Sequence, residues 1–375
     1  MTTKMFDPTI DYHNHKNEYD SAISTILNHG RFIMGPEVQQ VESQLAAYCG
    51  AKHCITVSNG TDALMIALMA LDVGPGDEVI TVPFTWISTA EVVCILGATP
   101  VFVDIDHRTY NMDISKLEDK ITDKTKAIIP VSLYGQMVDL EEMNKIATKY
   151  NIPIIEDGAQ SFGAKQNDYM SCSCKPKMCK ISSTSFFPSK PLGCFGDGGA
   201  CFTNDDELAI KLKAIRTHGG VERFKHEYVG TNGRMNTIQA GVLLVKMKYF
   251  SDSIKKRQEN CNIYNKMFEN YDEIITPYIQ DKNEHAYGQY TIQLRTKDIR
   301  DALKDYLMEN NIESGIFYPI SIHTQKAFDK FGYQVGDFPV SEDVCNKVLS
   351  LPCYPGLDKE SIEKIGKIVI TFTKK

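Results

Sequence analysis

Apolar residues in this chain follow two rhythms. Through the first two-thirds, short apolar runs alternate with longer stretches of helical period. Residues 78–82 read as a strand that stops at Pro83, residues 99–103 as a second that closes on Asp104, and residues 127–131 as a third, followed by a turn at Gly135. Residues 140–150 read as a helix and residues 152–155 as the next strand, with Asp157 just past its end. Strands alternating with amphipathic helices predict a mainly parallel sheet covered on both faces. In such sheets ligands bind beyond the carboxyl ends of the strands. After about Phe250 the texture changes. Charged helices are expected at 252–271, 297–311 and 358–368, with a strand carrying Tyr290, Ile292 and Leu294 on one face. The expectation is α/β with two domains: a large sheet domain over 1–250 and a smaller α+β domain over 251–375. The first 30 or so polar residues are expected to pack on the small lobe or on a partner.

Composition narrows the class. With 375 residues the chain is long enough for two cores. Its net charge of −7, with no basic run, argues against nucleic acid as the main partner. No stretch approaches 18 consecutive apolar residues, so no membrane span is expected. Residues 1–11 lack the apolar core of a signal peptide. Eleven cysteines then read as reduced thiols in a cytoplasmic compartment. Three lie close together, Cys172, Cys174 and Cys179, but their spacing is irregular and no fourth ligand is obvious. A polar surface hairpin is expected there, and no metal.

The chemistry gathers around Lys190, in the run Thr184-Ser185-Phe186-Phe187-Pro188-Ser189-Lys190-Pro191. A residue before proline is pushed out of the α region, so this lysine is projected on a turn. Alone, such a lysine is usually a solvated surface residue. Asp157 lies 33 residues earlier; alone it reads equally as a helix cap or half of an ion pair. Together they suggest pyridoxal phosphate, which needs a lysine for its aldehyde and a carboxylate for its ring nitrogen. Glu156 would point to the opposite side of the strand. Ser58-Asn59-Gly60-Thr61-Asp62-Ala63-Leu64 opens a helix after a strand. The amides of Gly60 and Thr61 and the Thr61 hydroxyl suit a phosphate, although a plain N-cap explains the same residues. Trp86, the only tryptophan, follows a strand end and either stacks on a flat ring or fills the core. Gly196-Asp197-Gly198-Gly199 is not a dinucleotide fingerprint and reads as a tight turn into a strand.

These segments resemble the sugar aminotransferases of the DegT/DnrJ/EryC1/StrS group, fold type I of the pyridoxal phosphate enzymes and aspartate-aminotransferase-like. The matching runs are Arg31-Phe32-Ile33-Met34-Gly35-Pro36-Glu37-Val38, residues 58–64, Ile155-Glu156-Asp157-Gly158-Ala159-Gln160-Ser161-Phe162-Gly163-Ala164, residues 185–190, and Gly230-Thr231-Asn232-Gly233-Arg234-Met235. They come in the group's order over nearly the whole chain.

The resemblance implies that Lys190 is the Schiff-base lysine and Asp157 the partner of the pyridine nitrogen. Gln160 would touch the ring hydroxyl, Trp86 would stack on the ring, and Ser185 with Gly60 and Thr61 would form the phosphate cup. Asn232 would reach the phosphate from the second subunit, which implies a homodimer with shared sites. Arg234, Tyr318 and His323 fall in regions that shape the sugar-nucleotide pocket. The implied reaction moves an amino group from L-glutamate to a nucleotide-linked ketosugar, with pyridoxamine phosphate in between. Relatives commonly carry a histidine where this chain has Phe317. That removes a partner for a substrate carboxylate and favours a UDP- or dTDP-linked 4-keto-6-deoxyglucose; a 3-keto sugar or uronate is the alternative. A related dehydratase has histidine in place of the lysine, so Lys190 argues against dehydration. A cysteine desulfurase would need a mobile reactive cysteine. A regulatory protein that binds the cofactor or a sugar nucleotide without turnover is the non-enzymatic alternative.

Overall fold

The computed structural model describes residues 2–176 and 178–374. Helices α1 (Pro8–Asn14), α2 (Lys16–His29) and α3 (Pro36–Cys49) lead into β1 (His53–Val57), α4 (Gly60–Ala70), β2 (Glu78–Thr81), α5 (Ser88–Ile95), β3 (Thr99–Phe102) and β4 (Thr125–Ile128). Next come α6 (Leu140–Lys149), β5 (Ile155–Asp157), the short strands β6 (Lys165–Gln166) and β7 (Tyr169–Met170), then β8 (Ile181–Ser185) and β9 (Gly199–Thr203). β2 runs parallel to β3 and β4, and β5 parallel to β8. Parallel bridges from Ile128 to Ile154 and from Val131 to Asp157 join these halves. The sheet order is therefore β1-β9-β8-β5-β4-β2-β3, and of these strands only β9 opposes its neighbours.

Successive residues of one strand enter opposite cores, as strand geometry requires. Ile80, Ile128, Ile154 and Phe202 join the cluster on one face, while Val79, Ala127, Ile155 and Cys201 join the other. The near-continuous apolar runs arise from this double burial. The same alternation carries past the apolar residues. It places Asp157 on the face of Ile155, under α4 and α5, and Glu156 on the opposite face. The strand expected at 152–155 is thus displaced, and Asp157 is its last residue and not the one beyond it. β8 offers Ser182 and Ser183 as ladder partners for Glu156 and Asp157, which extends pairing through two residues that hydrophobicity alone reads as strand end.

The rest of the chain is α7 (Asp206–Arg216), the ribbon β10 (Gly220–Glu222) and β11 (Lys225–His226), α8 (Thr237–Met247), α9 (Phe250–Phe268), β12 (Asn283–Glu284), β13 (Tyr290–Gln293), α10 (Lys297–Glu309), α11 (Pro339–Lys347), β14 (Val348–Leu351) and α12 (Lys359–Thr373). β13 and β14 form an antiparallel pair. Tyr264, Tyr290, Leu303, Leu349 and Ile365 share a core there, and Phe6 and Ile10 pack against it. Tyr19 of α2 belongs instead to the core of the large sheet. The segment before α11 also returns to that sheet: Ile322, Phe328 and Phe338 pack on Ala90 and Phe102. The Asp104 carboxylate, just past β3, accepts from Val340 N–H, Ser341 N–H and the Ser341 hydroxyl, at 3.0, 3.0 and 2.6 Å, and so caps α11 from a distance. No helix among the described residues is long and apolar enough to cross a membrane.

The surface hairpin expected around the three cysteines is corrected: Cys172, Cys174 and Cys179 are all buried. The segment after β7 turns inward around Glu156, whose carboxylate accepts from the Ser171 and Ser182 hydroxyls at 2.8 and 2.7 Å and from Cys172 N–H at 3.0 Å. Burial raises the Glu156 pKa, and these donors oppose it.

A second buried charge locks α7 to the first strand. Arg216 reaches Glu42 of α3 at 2.6 Å and the Thr56 carbonyl at 2.8 Å, while the same Glu42 oxygen accepts from Thr56 N–H and its hydroxyl. Removing one partner of a buried pair strands the other. Arg216→Met is expected to lower unfolding free energy by about 3–5 kcal/mol in urea titrations.

Candidate active site

Asp157 is anchored through its backbone on both sides, its N–H to Pro130 at 2.9 Å and its carbonyl from Ser132 N–H at 3.0 Å. Its carboxylate accepts from the Thr89 hydroxyl at 2.9 Å and from Ala159 N–H at 3.1 Å. Burial raises its pKa; Ala159 N–H, the Thr89 hydroxyl and the Lys190 charge work the other way. Lys190 sits at the end of a turn closed by its N–H to the Phe187 carbonyl at 2.9 Å. Burial pulls its pKa below the ordinary lysine range, against the pull of Asp157. Its Nζ makes no hydrogen bond or ion pair among the described residues. The structure thus brings these two residues within electrostatic reach without pairing them.

The start of α4 adjoins them. Asn59 caps this helix by accepting from Asp62 N–H at 2.8 Å. The amides of Gly60 and Thr61 have no partner among the described residues. The Thr61 hydroxyl meets Ser88 at 2.8 Å. A Cβ on Gly60 would come within 2.7 Å of the Ser185 side chain, so only glycine allows β8 to end against this helix. Gly199 is constrained likewise, since its Cβ would lie 2.4 Å from the Asn59 carbonyl oxygen. Two free amides at a helix N-terminus with hydroxyls beside them suit a phosphate.

Trp86 is 59% exposed, so it is no core residue; its ring lies 6.1 Å from that of Tyr318. Gln160 accepts from Tyr134 N–H at 2.8 Å and donates to the Tyr318 hydroxyl at 3.1 Å. Its second amide hydrogen is left for another acceptor. Thr89, Tyr134 and Ser88 were not singled out by sequence.

Three expected residues lie apart from this group. Asn232 and Arg234 flank Gly233, whose carbonyl takes Ser58 N–H, and Arg234 Nε donates to Asn232 at 2.9 Å. No hydrogen bond links either to Lys190, Asp157 or Gln160 within this chain. His323 is fully enclosed, with one ring nitrogen on Ser321 at 2.8 Å and the other on Glu342 at 3.0 Å. Neither nitrogen is left for a sugar. Its place is supportive: Ser321 and Ile322 bond the Pro83 carbonyl at the base of the Trp86 loop.

The donor set fits pyridoxal phosphate. A buried carboxylate wants a cation, an unpaired amine faces it, helix-start amides stand free, and an exposed indole flanks them.

The sequence matches the DegT/DnrJ/EryC1/StrS aminotransferase family over residues 13–370. It is 48% identical, over 93% of this chain and 94% of the other, to the UDP-2-acetamido-2-deoxy-3-oxo-D-glucuronate aminotransferase of Pseudomonas aeruginosa. Among solved structures, DesV of S. venezuelae with a ketimine intermediate superposes with a TM-score of 0.96 at 32% identity, over 100% of this chain and 99% of that one. NtdA of Bacillus subtilis with bound pyridoxamine phosphate gives 0.88 at 31%, over 96% and 82%. The chain belongs to the DegT/DnrJ/EryC1/StrS aminotransferase family and is a nucleotide-sugar aminotransferase that uses pyridoxal phosphate.

Proposed function

We propose that this enzyme places an amino group on carbon 3 of a UDP-linked 3-oxo sugar, in the first instance a 2-acetamido-2-deoxy-3-oxo uronate, with L-glutamate as donor. The observation that carries this reading is the 48% identity, over nearly the full length of both chains, to a relative named for that substrate. The 4-keto-6-deoxy sugar favoured by Phe317 gains no such support. Phe317 spends its carbonyl on the Tyr134 hydroxyl. The carboxylate of a uronate would then be met by Arg234, on a partly exposed strip beside Ser58.

The residues divide the work. When bound, pyridoxal phosphate supplies an aldehyde for the amino group and a ring that draws off electrons. Asp157 would hold the proton of the ring nitrogen, its own orientation set by Thr89 and Ala159. The amides of Gly60 and Thr61, with Ser185, would hold the phosphate. Trp86 would cover one face of the ring and Gln160 would reach its hydroxyl. Lys190, half-buried and so neutral more readily, would take the proton from the donor's α-carbon on Nζ and give it to the cofactor's aldehyde carbon, and would carry it the opposite way when the sugar is aminated. In this reading residues 1–250 carry the cofactor and 251–375 form the smaller lobe. The active unit is a homodimer in which Asn232 of each chain serves the other site.

Lys190→Ala is expected to abolish turnover, and borohydride to attach the cofactor to the peptide containing Lys190 in the wild type. Asp157→Asn is expected to retain the cofactor yet lose about a thousandfold in kcat, roughly 4 kcal/mol of transition-state stabilisation. Near wild-type kcat in that variant would remove Asp157 from the role. Mixing Lys190→Ala with Asn232→Ala subunits is expected to restore part of the activity, because one site of the mixed dimer keeps both residues; no recovery despite subunit exchange would count against sharing. The substrate is tested by comparing kcat/KM for the UDP-linked 3-oxo uronate with that for a UDP-linked 4-keto-6-deoxyglucose. A carbonyl one carbon away is misplaced by more than an ångström, so a preference on the order of a hundredfold is expected. Preference for the 4-keto sugar would reverse the reading.

A further inference from the structure

α5 starts two residues after Trp86, and its first turn reaches two other parts of the site. The Ser88 hydroxyl meets that of Thr61 at 2.8 Å, and the Thr89 hydroxyl donates to Asp157 Oδ2 at 2.9 Å. Ser88, Thr89 and Asp157 are all buried, so bulk water does not stand in for these bonds.

The Thr89 hydroxyl has one hydrogen and two acceptors in reach. One is Asp157 Oδ2; the other is the Trp86 carbonyl, at 3.4 Å. Hydrogen bonds to an ionised acceptor are shorter and stronger than neutral ones, so the carboxylate takes the hydrogen. The Thr85 hydroxyl, 3.5 Å from that of Thr89, is placed to donate to the Thr89 oxygen and so to leave its hydrogen for Asp157. Ala159 N–H occupies the other carboxylate oxygen, Oδ1, at 3.1 Å. Each oxygen thus accepts one bond from the protein and keeps capacity for a ring nitrogen.

A carboxylate beside a pyridine nitrogen shares one proton with it. With the proton on nitrogen, the ring is cationic and draws electrons strongly. With the proton on oxygen, both partners are neutral and that pull is weaker. Burial favours the neutral arrangement, because it penalises charge. At Asp157 burial raises the pKa, while Ala159 N–H and the Thr89 hydroxyl lower it. Donors to the ionised form make the carboxylate a weaker base. Deprived of them, a carboxylate buried this deeply competes for the ring's proton.

We infer that Thr89 is a positioning residue that acts through Asp157: by donating to Oδ2 it keeps the shared proton on the ring nitrogen and off the carboxylate. This goes beyond orienting the side chain, and it rests on the role proposed above for Asp157. The competing role is local. A threonine in the first turn of a helix also returns its hydroxyl to a carbonyl three residues back, which serves the helix alone.

NMR of holoenzyme loaded with pyridoxal phosphate isotopically labelled at the ring nitrogen separates the two, alongside steady-state kinetics. Wild type is expected to show the ring nitrogen protonated. In Thr89→Val its resonance is expected to move towards the unprotonated position. In the same variant kcat is expected to fall on the order of tenfold, the worth of a hydrogen bond to a charged group, while KM for L-glutamate and for the sugar stays within about twofold of wild type. Thr89→Ser, which keeps the hydroxyl, is expected to restore both the resonance and kcat. Adding Thr89→Val to Asp157→Asn is expected to slow the enzyme no further, since Thr89 acts through that carboxylate. A Thr89→Val enzyme that melts earlier yet keeps the wild-type resonance and kcat would overturn the inference and leave Thr89 a helix residue. The reading beneath it fails separately: Asp157→Asn with wild-type resonance and kcat would take Asp157 itself away from the ring nitrogen.

Discussion

Burial works against the charge on Asp157 and against the charge on Lys190 at once. Most proteins would relieve this by letting the two meet. Here Thr89 and Ala159 occupy the carboxylate while the turn through Phe187 carries the amine, and no ion pair forms. Each group is left with part of its electrostatic need unmet, which is the condition for a cofactor bringing a cationic nitrogen and an aldehyde to be held firmly. The position of Asp157 is fixed, because its N–H and carbonyl are both committed to the segment that follows β4, at Pro130 and Ser132. The place of this carboxylate is therefore a property of where β5 sits in the middle of the sheet.

The rim of the site depends on polar ties between distant parts of the chain. Asp104, at the end of β3, caps α11 more than 200 residues later. Pro83, at the base of the Trp86 loop, takes bonds from Ser321 and Ile322. Gln160 links Tyr134 to Tyr318. Through these contacts the segment between α10 and α11 becomes part of the large sheet's binding edge, although its neighbours in sequence, β13 and β14, belong to another core. His323 is a pillar of that arrangement: its two ring nitrogens tie Ser321 to Glu342.

A missing histidine at Phe317 removes one possible partner for a carboxylate, yet any cation at the rim can replace it. A single position therefore says little about a ligand that several side chains can meet. Overall similarity to a relative integrates many such positions, which is why it outweighs the one substitution.

The candidate pair Lys190 and Asp157, the helix start at 58–64 and the strand–helix rhythm were legible in the sequence because they depend on local chemistry. Strand alternation, proline's effect on its neighbour and helix-start residues act over a few positions. Strand ends were less legible, since Glu156 and Asp157 continue β5 only because β8 presents Ser182 and Ser183 to them. Thr89 on Asp157, Tyr134 on Gln160, the inward turn of Cys172 and Cys174 around Glu156 and the enclosure of His323 belonged to the tertiary structure. Each depends on which surface an element meets across tens or hundreds of residues. Whether a polar side chain is a solvated surface group, a support or a ligand is settled by the partners it finds once water has been excluded.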